Sequence, residues 1–369
     1  FMQSFSVDAA YRYSNYSTIG ATNAYSFGGT WELVDSFRIR GSYGKSVRAP
    51  NLSELYSPAN ESFFGPVDPC DSTNADAQSA NTLANCAIEL NALGIDPSTF
   101  IPSSAVLRSG VITGNPDLSE EKGTTFTVGG IFQPSFLKGV TATIDYWNIR
   151  LEDAILQPSE DSVVEQCYLA PSLDNQFCDL FTRDSGGIIE DFISTPVNVG
   201  ELRTKGIDFT FAYGAGLDDI FKGAPGDVLF RITGSRLLSL ETQPSLAPLL
   251  VEEAGQVETL LGTNAPEWTL NLDAIWSVGR FAFNYGVNYE SSLDIFTDAE
   301  RAADPDISAF LKTKRYINHD VQISYDLNDN FQVYGGVNNI GDRLPDPTFF
   351  NTPSGPVGRY FYFGVEANF

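Results

Sequence analysis

The sequence predicts an all-β fold, a transmembrane antiparallel barrel, as one domain over residues 1–369. Three observations point there. Apolar and polar residues alternate with a period of two through long segments. Aromatic residues recur near the ends of the apolar faces, at Tyr13, Trp31, Tyr43, Tyr213, Trp268 and Tyr289. The connections between segments alternate between short and long. A tilted strand needs roughly 9 to 11 residues to cross a bilayer, and interfacial aromatic girdles and unequal loops mark such barrels. A soluble sandwich with one wet face would also alternate, but it has no reason to sort its loops by length.

The period-two segments run in order down the chain. Phe5, Val7, Ala9, Tyr11 and Tyr13 alternate with Ser4, Ser6, Asp8, Ala10 and Arg12. Tyr25, Phe27, Gly29, Trp31 and Leu33 form the second set, and Phe37, Ile39 and Tyr43 the third. Phe126 to Phe132 is the fourth, with Ile131 breaking its polar face. Val140 to Tyr146, Ile207 to Tyr213 and Val228 to Ile232 follow. The clearest come late: Trp268 to Val278, Phe281 to Tyr289, Val321 to Leu327, Phe331 to Val337 and Phe361 to Phe369. These make twelve strands. Apolar side chains would meet lipid, and Arg12, Arg38, Arg40, Arg231, Asp273 and Glu290 would point into the lumen.

Short connections fall at Val34–Ser36, Pro134–Gly139, Ser277–Arg280 and Asn328–Asn330, with a somewhat longer turn near Gly214–Gly226. Long loops cover about 48–119, 152–200, 239–265, 291–312 and 341–358. The sequence GSYGKSVRAPNLSELYSP marks the first strand-to-loop exit. Pro50 cannot donate to a ladder, so pairing should end near it. Arg48, Asn51 and Glu54 are expected to fix the exit at the barrel rim.

Composition narrows the function. Asp and Glu number 47 against 22 Lys and Arg, a formal net charge of −25, so a nucleic-acid partner is excluded. No window approaches the run of about 18 apolar residues that a membrane helix needs. Phe1 opens in mid-pattern with no signal peptide, so a piece of a longer protein is expected.

The four cysteines form two close pairs, Cys70 with Cys86 and Cys167 with Cys178, in polar loop stretches. One loop-stapling disulfide per pair, in an oxidising compartment, is the economical reading; four reduced thiols are the alternative. Zinc is disfavoured, because there is no CxxC and the single histidine, His319, is remote. No cofactor is expected. Acidic loops such as RAADPDIS, 301–308, offer oxygen ligands for Ca²⁺ but lack EF-hand spacing. An enzyme is not expected: a triad would have to use His319, no phosphate-binding loop occurs, and Glu252–Glu253 lies in a loop without signs of burial. The loop aromatics Phe63, Phe64, Tyr168, Phe177, Phe349 and Phe350 are candidates to line a ligand vestibule; packing of loop against loop is the alternative. A short helix is expected around Thr82–Leu93.

Four motifs carry a family resemblance. SVRAPNLSELY (46–56), GNPDLSEEKGTTFTVGG (114–130), VYGGVNNIGDRLPD (333–346) and GRYFYFGVEANF (358–369) resemble, in order and spacing, those of TonB-dependent outer-membrane receptors. The resemblance implies the last twelve strands of a plugged barrel of about 22 strands. The plug and the TonB-contacting segment would precede Phe1. It implies a multi-pass protein of the bacterial outer membrane, in contact with its lipid and lipopolysaccharide, whose terminal Phe369 signals to the barrel-insertion machinery. It also implies uptake of a scarce nutrient: a ferric siderophore, cobalamin or an oligosaccharide. The shortage of Lys and Arg weighs against a strongly anionic ferric siderophore. A passive porin-like channel and a structural or adhesive surface barrel are the alternatives.

Overall fold

The computed structural model describes residues 3–73, 79–102, 107–243, 251–257, 264–296, 312–344 and 358–367. Its elements run as follows. The chain opens with β1 (Ser4–Tyr16), β2 (Gly20–Val34) and β3 (Phe37–Arg48). The first excursion holds α1 (Leu52–Tyr56), β4 (Asn60–Phe64), α2 (Ala80–Ala92) and β5 (Arg108–Ile112). Next come β6 (Glu121–Phe132) and β7 (Val140–Leu156). The second excursion holds α3 (Glu160–Leu169), β8 (Thr182–Arg183), β9 (Ile189–Glu190) and β10 (Phe192–Ser194). Then follow β11 (Val197–Gly216), α4 (Leu217–Ile220), β12 (Asp227–Gln243), β13 (Val251–Glu252) and β14 (Trp268–Val278). The chain closes with β15 (Phe281–Glu290), β16 (Tyr316–Asp326), β17 (Phe331–Asn338) and β18 (Tyr360–Ala367).

Twelve long strands form one antiparallel wall in the order β1-β2-β3-β6-β7-β11-β12-β14-β15-β16-β17-β18, with β13 paired to β12 beside it. They are the twelve that alternation predicts. Every neighbour in the wall is also the next long strand in sequence, so the connections are hairpins or excursions that return beside their origin. Among the described residues β1 and β18 are the two edges and do not pair with each other.

Register sorts the side chains by face. The pairs Phe27↔Tyr43, Tyr43↔Phe126 and Ile144↔Phe209 share the apolar face. The pairs Arg40↔Gly129, Gly129↔Asp145 and Arg231↔Asp273 share the polar face. Arg40 donates to Asp145 through two bonds of 2.8 and 2.6 Å, a bidentate pair across two ladders. The apolar face exposes Val7, Tyr11, Phe27, Phe126, Ile144, Phe361 and Phe363, an arrangement that water alone would not reward.

Several strands outrun the alternation. β7 extends to Leu156, β11 spans 20 residues and β12 spans 17. Near the far end of β12 a register shift against Lys205/Gly206 inserts one residue. It turns Ser239 and Glu241 to the side that Arg236 occupies, so period two fails across Leu237, Leu238 and Leu240. Loop sorting holds with one exception: the turn at 17–19 between β1 and β2 is short although it lies at the end of the long excursions. Glu253, expected to be unburied, is only 7% exposed; β13 folds its segment back on β12. Phe349, Phe350, Phe369 and the 301–308 acidic stretch lie outside the described residues.

The short turns are tight. Gly139 has φ +83°, and an added Cβ would sit 1.8 Å from the carbonyl oxygen of Gly214. Gly214 N–H donates to Gly139 O at 3.0 Å, so the turn between β6 and β7 is locked against the end of β11. Gly139→Ala should therefore lower the unfolding free energy by about 2 kcal/mol, measured by chemical denaturation of the folded barrel. Gly341→Ala, which meets nothing within 4 Å, should be close to neutral.

Candidate functional site

The excursions after β3 and β7 meet at one end of the wall, and the first contact is at the rim. Pairing in β3 stops at Arg48, and Pro50 lies beyond the ladder. Asn51 then caps α1: its side chain accepts Glu54 N–H at 2.8 Å, and the Glu54 carboxylate accepts Asn51 N–H at 2.8 Å. This capping box satisfies otherwise orphaned donors. The same Glu54 carboxylate accepts from Arg48 Nη1 at 3.0 Å. Arg48 also bonds Glu121, through Nε and through Nη2 at 2.9 Å. Glu121, buried at the start of β6, accepts Ile155 N–H at 2.7 Å. One guanidinium thus ties β3, α1 and β6, and Glu121 extends the tie to β7.

Apolar packing and backbone bonds finish the clamp. Leu55, Leu118 and Ile155 form a small buried cluster. Gly114 N–H donates to Ser57 O and Asn115 N–H to Glu54 O. A Cβ on Gly114 would fall 2.6 Å from the Ser57 nitrogen, so only glycine permits this approach. Asn115 Nδ2 reaches Pro196 O at 2.9 Å, at the foot of β11. Two motifs distant in sequence, APNLSELY and GNPDLSEE, are therefore two halves of one joint.

Above the rim sits a packed cap. β4 pairs antiparallel with β5, and β10 pairs parallel with β5, joining the two excursions in one small sheet. Each carries its own disulfide, Cys70–Cys86 and Cys167–Cys178. α2, close to the expected 82–93 helix, packs against α3; Asn85 Nδ2 donates to the carbonyls of Tyr168 and Ala170 at 2.9 and 2.8 Å. Arg183, with a side chain 1% exposed, is the polar centre. It donates to both oxygens of Asp68 at 2.6 and 2.8 Å and to Glu89 at 3.0 Å. Its guanidinium lies 5.2 Å over the Tyr168 ring. Burial by itself would lower the Arg183 pKa, but the bonds to Asp68 outweigh it and the guanidinium stays firmly charged. Burial raises the Tyr168 hydroxyl well above its ordinary range.

The candidate aromatics divide sharply. Tyr168 and Phe177 are 0% and 1% exposed, and Phe64 is buried against Phe192 at 4.8 Å. All three belong to the core of the cap; Tyr168 and Phe177 present no surface, while an edge of Phe64 lines a small surface cavity with Pro66, Asp68 and Arg108. Phe63, on the other side of β4, is 64% exposed. Below the cap the polar face of the wall carries the other reactive groups. Asp320 accepts from Asn339 N–H at 2.7 Å and from Asn288 at 3.2 Å. Tyr362 donates to Gln322 at 2.8 Å, flanked by Tyr334 and Tyr360. His319 takes no part: it lies on the apolar face, bonded to Tyr285 at 2.7 Å. The site is thus a rim clamp, a stapled cap and a polar wall of amides, phenols and carboxylates, which suits recognition of a polar solute.

A family model described as TonB dependent receptor-like, beta-barrel matches residues 1–340. The chain belongs to that family. Barrels of that family lie in the outer membrane, and in such barrels an apolar outer face meets lipid while a polar inner face lines the lumen. Comparison with curated proteins returned no match. Among solved structures it is similar to the siderophore receptor PirA from Acinetobacter baumannii, at TM-score 0.61 and 14% identity over 99% of this chain and 44% of that one. It is similar also to the ferric enterobactin receptor PfeA from Pseudomonas aeruginosa in complex with BCV-L6, at TM-score 0.60 and 15% identity over 98% of this chain and 43% of that one. At such identities the likeness concerns fold alone. The chain spans less than half the length of these receptors.

Glu121, Asp68, Glu89 and Arg183 were not singled out by sequence alone, although Glu121 closes the GNPDLSEE stretch of the second motif. Arg48→Met should destabilise the rim by about 2 kcal/mol, since Glu121 would keep its buried carboxylate and lose its cation. Hydrogen exchange at residues 51–57 and 114–121 would register the loss. Arg183→Met should cost the cap about 3–5 kcal/mol by stranding Asp68. Faster exchange should then appear in α2 and α3, with β14 to β17 unchanged.

Proposed function

We propose that this chain is the C-terminal wall and outer cap of a TonB-dependent importer for a scarce nutrient. Preceding strands would complete a barrel of about 22 strands around a plug. The observation that carries the reading is the rim clamp. Inside a chain matched to the receptor barrel family, it holds two stapled excursions over the cap end of the lumen. Among the described residues β1 and β18 are unpaired edges, which suit closure by further strands, since an unpaired edge is costly in lipid. TonB would act through a segment outside this chain, and the terminal Phe369 would serve barrel insertion.

A ferric siderophore is the favoured cargo class, because the similar solved structures are siderophore receptors. The excess of acidic groups over basic ones favours a neutral or weakly charged chelate over a strongly anionic one. Cobalamin or an oligosaccharide would suit the same wall of amides and phenols. A passive channel is the weaker reading, since a channel gains nothing from a stapled cap over its mouth.

The test is uptake by cells that carry the complete protein as their sole receptor. Radiolabelled ferric hydroxamate, ferric catecholate and cobalamin would be supplied separately, with and without TonB. Accumulation of one of them that disappears with TonB is expected. Entry of all three at equal rates regardless of TonB would establish a passive channel instead.

A further inference from the structure

The two faces of the wall exchange character at the cap end of β7. Up to Tyr146 the outward positions are apolar and the inward ones, Thr141, Thr143 and Asp145, are polar. From Asn148 the outward positions turn polar, with Arg150 and Glu152 following. The inward ones turn apolar instead: Trp147, Ile149 and Leu151. Outward polarity is what water above the membrane favours. Inward apolarity is not, because these side chains share the lumen face with Arg40 and Asp145. Register extends the patch across two more strands. Trp147 stands opposite Gly206, and Gly206 opposite Leu237; Leu151 stands opposite Leu202.

Two local devices build this patch. The extra residue that β12 carries against Lys205/Gly206 brings Leu240 to the lumen side along with Leu237, where strict alternation would have turned it outward. Gly206 is buried, and a Cβ there would collide with Cζ2 and Cε2 of Trp147, so the indole rests on the bare backbone of β11. Ile149 is 38% exposed, and Trp147, Leu151, Leu202 and Leu237 are partly open. Charge marks the limits of the patch: Arg48 with Glu121 above, and Arg40, Asp145 and Asp208 below. Between those limits the inward positions of β6, β7 and β11 carry no charge. From Trp147 to Leu151 the patch runs about 14 Å along the strand.

We propose that this uncharged island is a subsite for an alkyl chain, so that the imported solute is an uncharged chelate carrying an acyl tail. The occupant follows from the chemistry and shape of the patch. Of its five open side chains, Trp147, Ile149, Leu151, Leu202 and Leu237, four are aliphatic. Its interior offers no ion to pair with. Its long dimension suits an extended chain. It lies on the lumen face at the cap end, where an entering solute must pass. Removing methylenes from water there favours binding without any directional contact. The nature of the cargo rests on the import reading; the island itself rests on strand register alone.

The complete protein, in lipid nanodiscs, would be titrated with the uncharged ferric complexes of N-acetyl and N-hexanoyl desferrioxamine B, with empty nanodiscs correcting for partition into lipid. Each methylene taken from water favours binding by roughly fourfold, so the hexanoyl complex should bind at least about tenfold more tightly. The triple variant Ile149→Gln, Leu151→Gln, Leu237→Gln should lose that preference and keep its affinity for the acetyl complex. Ile88→Gln, at an exposed position of α2, should retain the preference. Heat-modifiable gel migration would confirm that each variant is folded. Equal affinity for the two complexes, as a plug segment seated on the island would give, would overturn the proposal. So would a preference that survives the triple variant. If neither complex binds, hexan-1-ol alone should still shift the fluorescence of Trp147, a response missing from Trp147→Phe. That result would defeat hydroxamate import and leave the alkyl site standing; no response would overturn both.

Discussion

The Arg48 guanidinium is where the wall becomes a receptor. A barrel strand that reaches its rim must release a long loop without letting its neighbours fray. Here the release is managed by one cation among two carboxylates, Glu54 on the departing helix and Glu121 on the next strand. Glu121 then passes the tie to β7 through Ile155 N–H. Charge-assisted bonds of this kind are short and directional, and burial of Glu121 limits their screening. Without this joint the cap would hang from two flexible stems. With it, the stems of both excursions share one foundation.

The wall below obeys a different constraint, that of two solvents. One face must tolerate hydrocarbon and the other water, and period-two alternation is the only pattern a strand can use for that purpose. The inner face is not simply wet: Arg40 with Asp145, Asp320 with its amides and Tyr362 with Gln322 form satisfied groups spread around the wall. Such pairing keeps the lumen polar while holding these groups against the scaffold.

That constraint explains what could be read in advance. All twelve wall strands were legible because each carries the two-solvent pattern through the membrane. Above the membrane the pattern lapses, since both faces meet water or the cap. There Trp147, Ile149 and Leu151 sit on the polar side of β7, and the bulge in β12 inverts its parity. The cap was legible only as cysteine pairs and a helix. Its aromatics looked equally fit to line a vestibule or to fill a core, because Phe and Tyr serve both ends. Tyr168 and Phe177 went to the core because the two excursions must bury a centre of their own. The clamp was half legible: Arg48, Asn51 and Glu54 lie within seven residues, but Glu121 joins them only through the register of β3 with β6.

The placement of the disulfides has a mechanical meaning. Each closes a loop within its own excursion, with separations of 16 and 11 residues, and neither crosses between them. Among the described residues the two halves are joined by non-covalent contacts, which include the three parallel pairs of β5 with β10, the Asn85 bonds to Tyr168 and Ala170, and Arg183 against Asp68 and Glu89. The cap is therefore a clasp and not a weld. Its seam is held by hydrogen bonds, ion pairs and packing alone, so parting it would need no change in oxidation state and each half would keep its own staple.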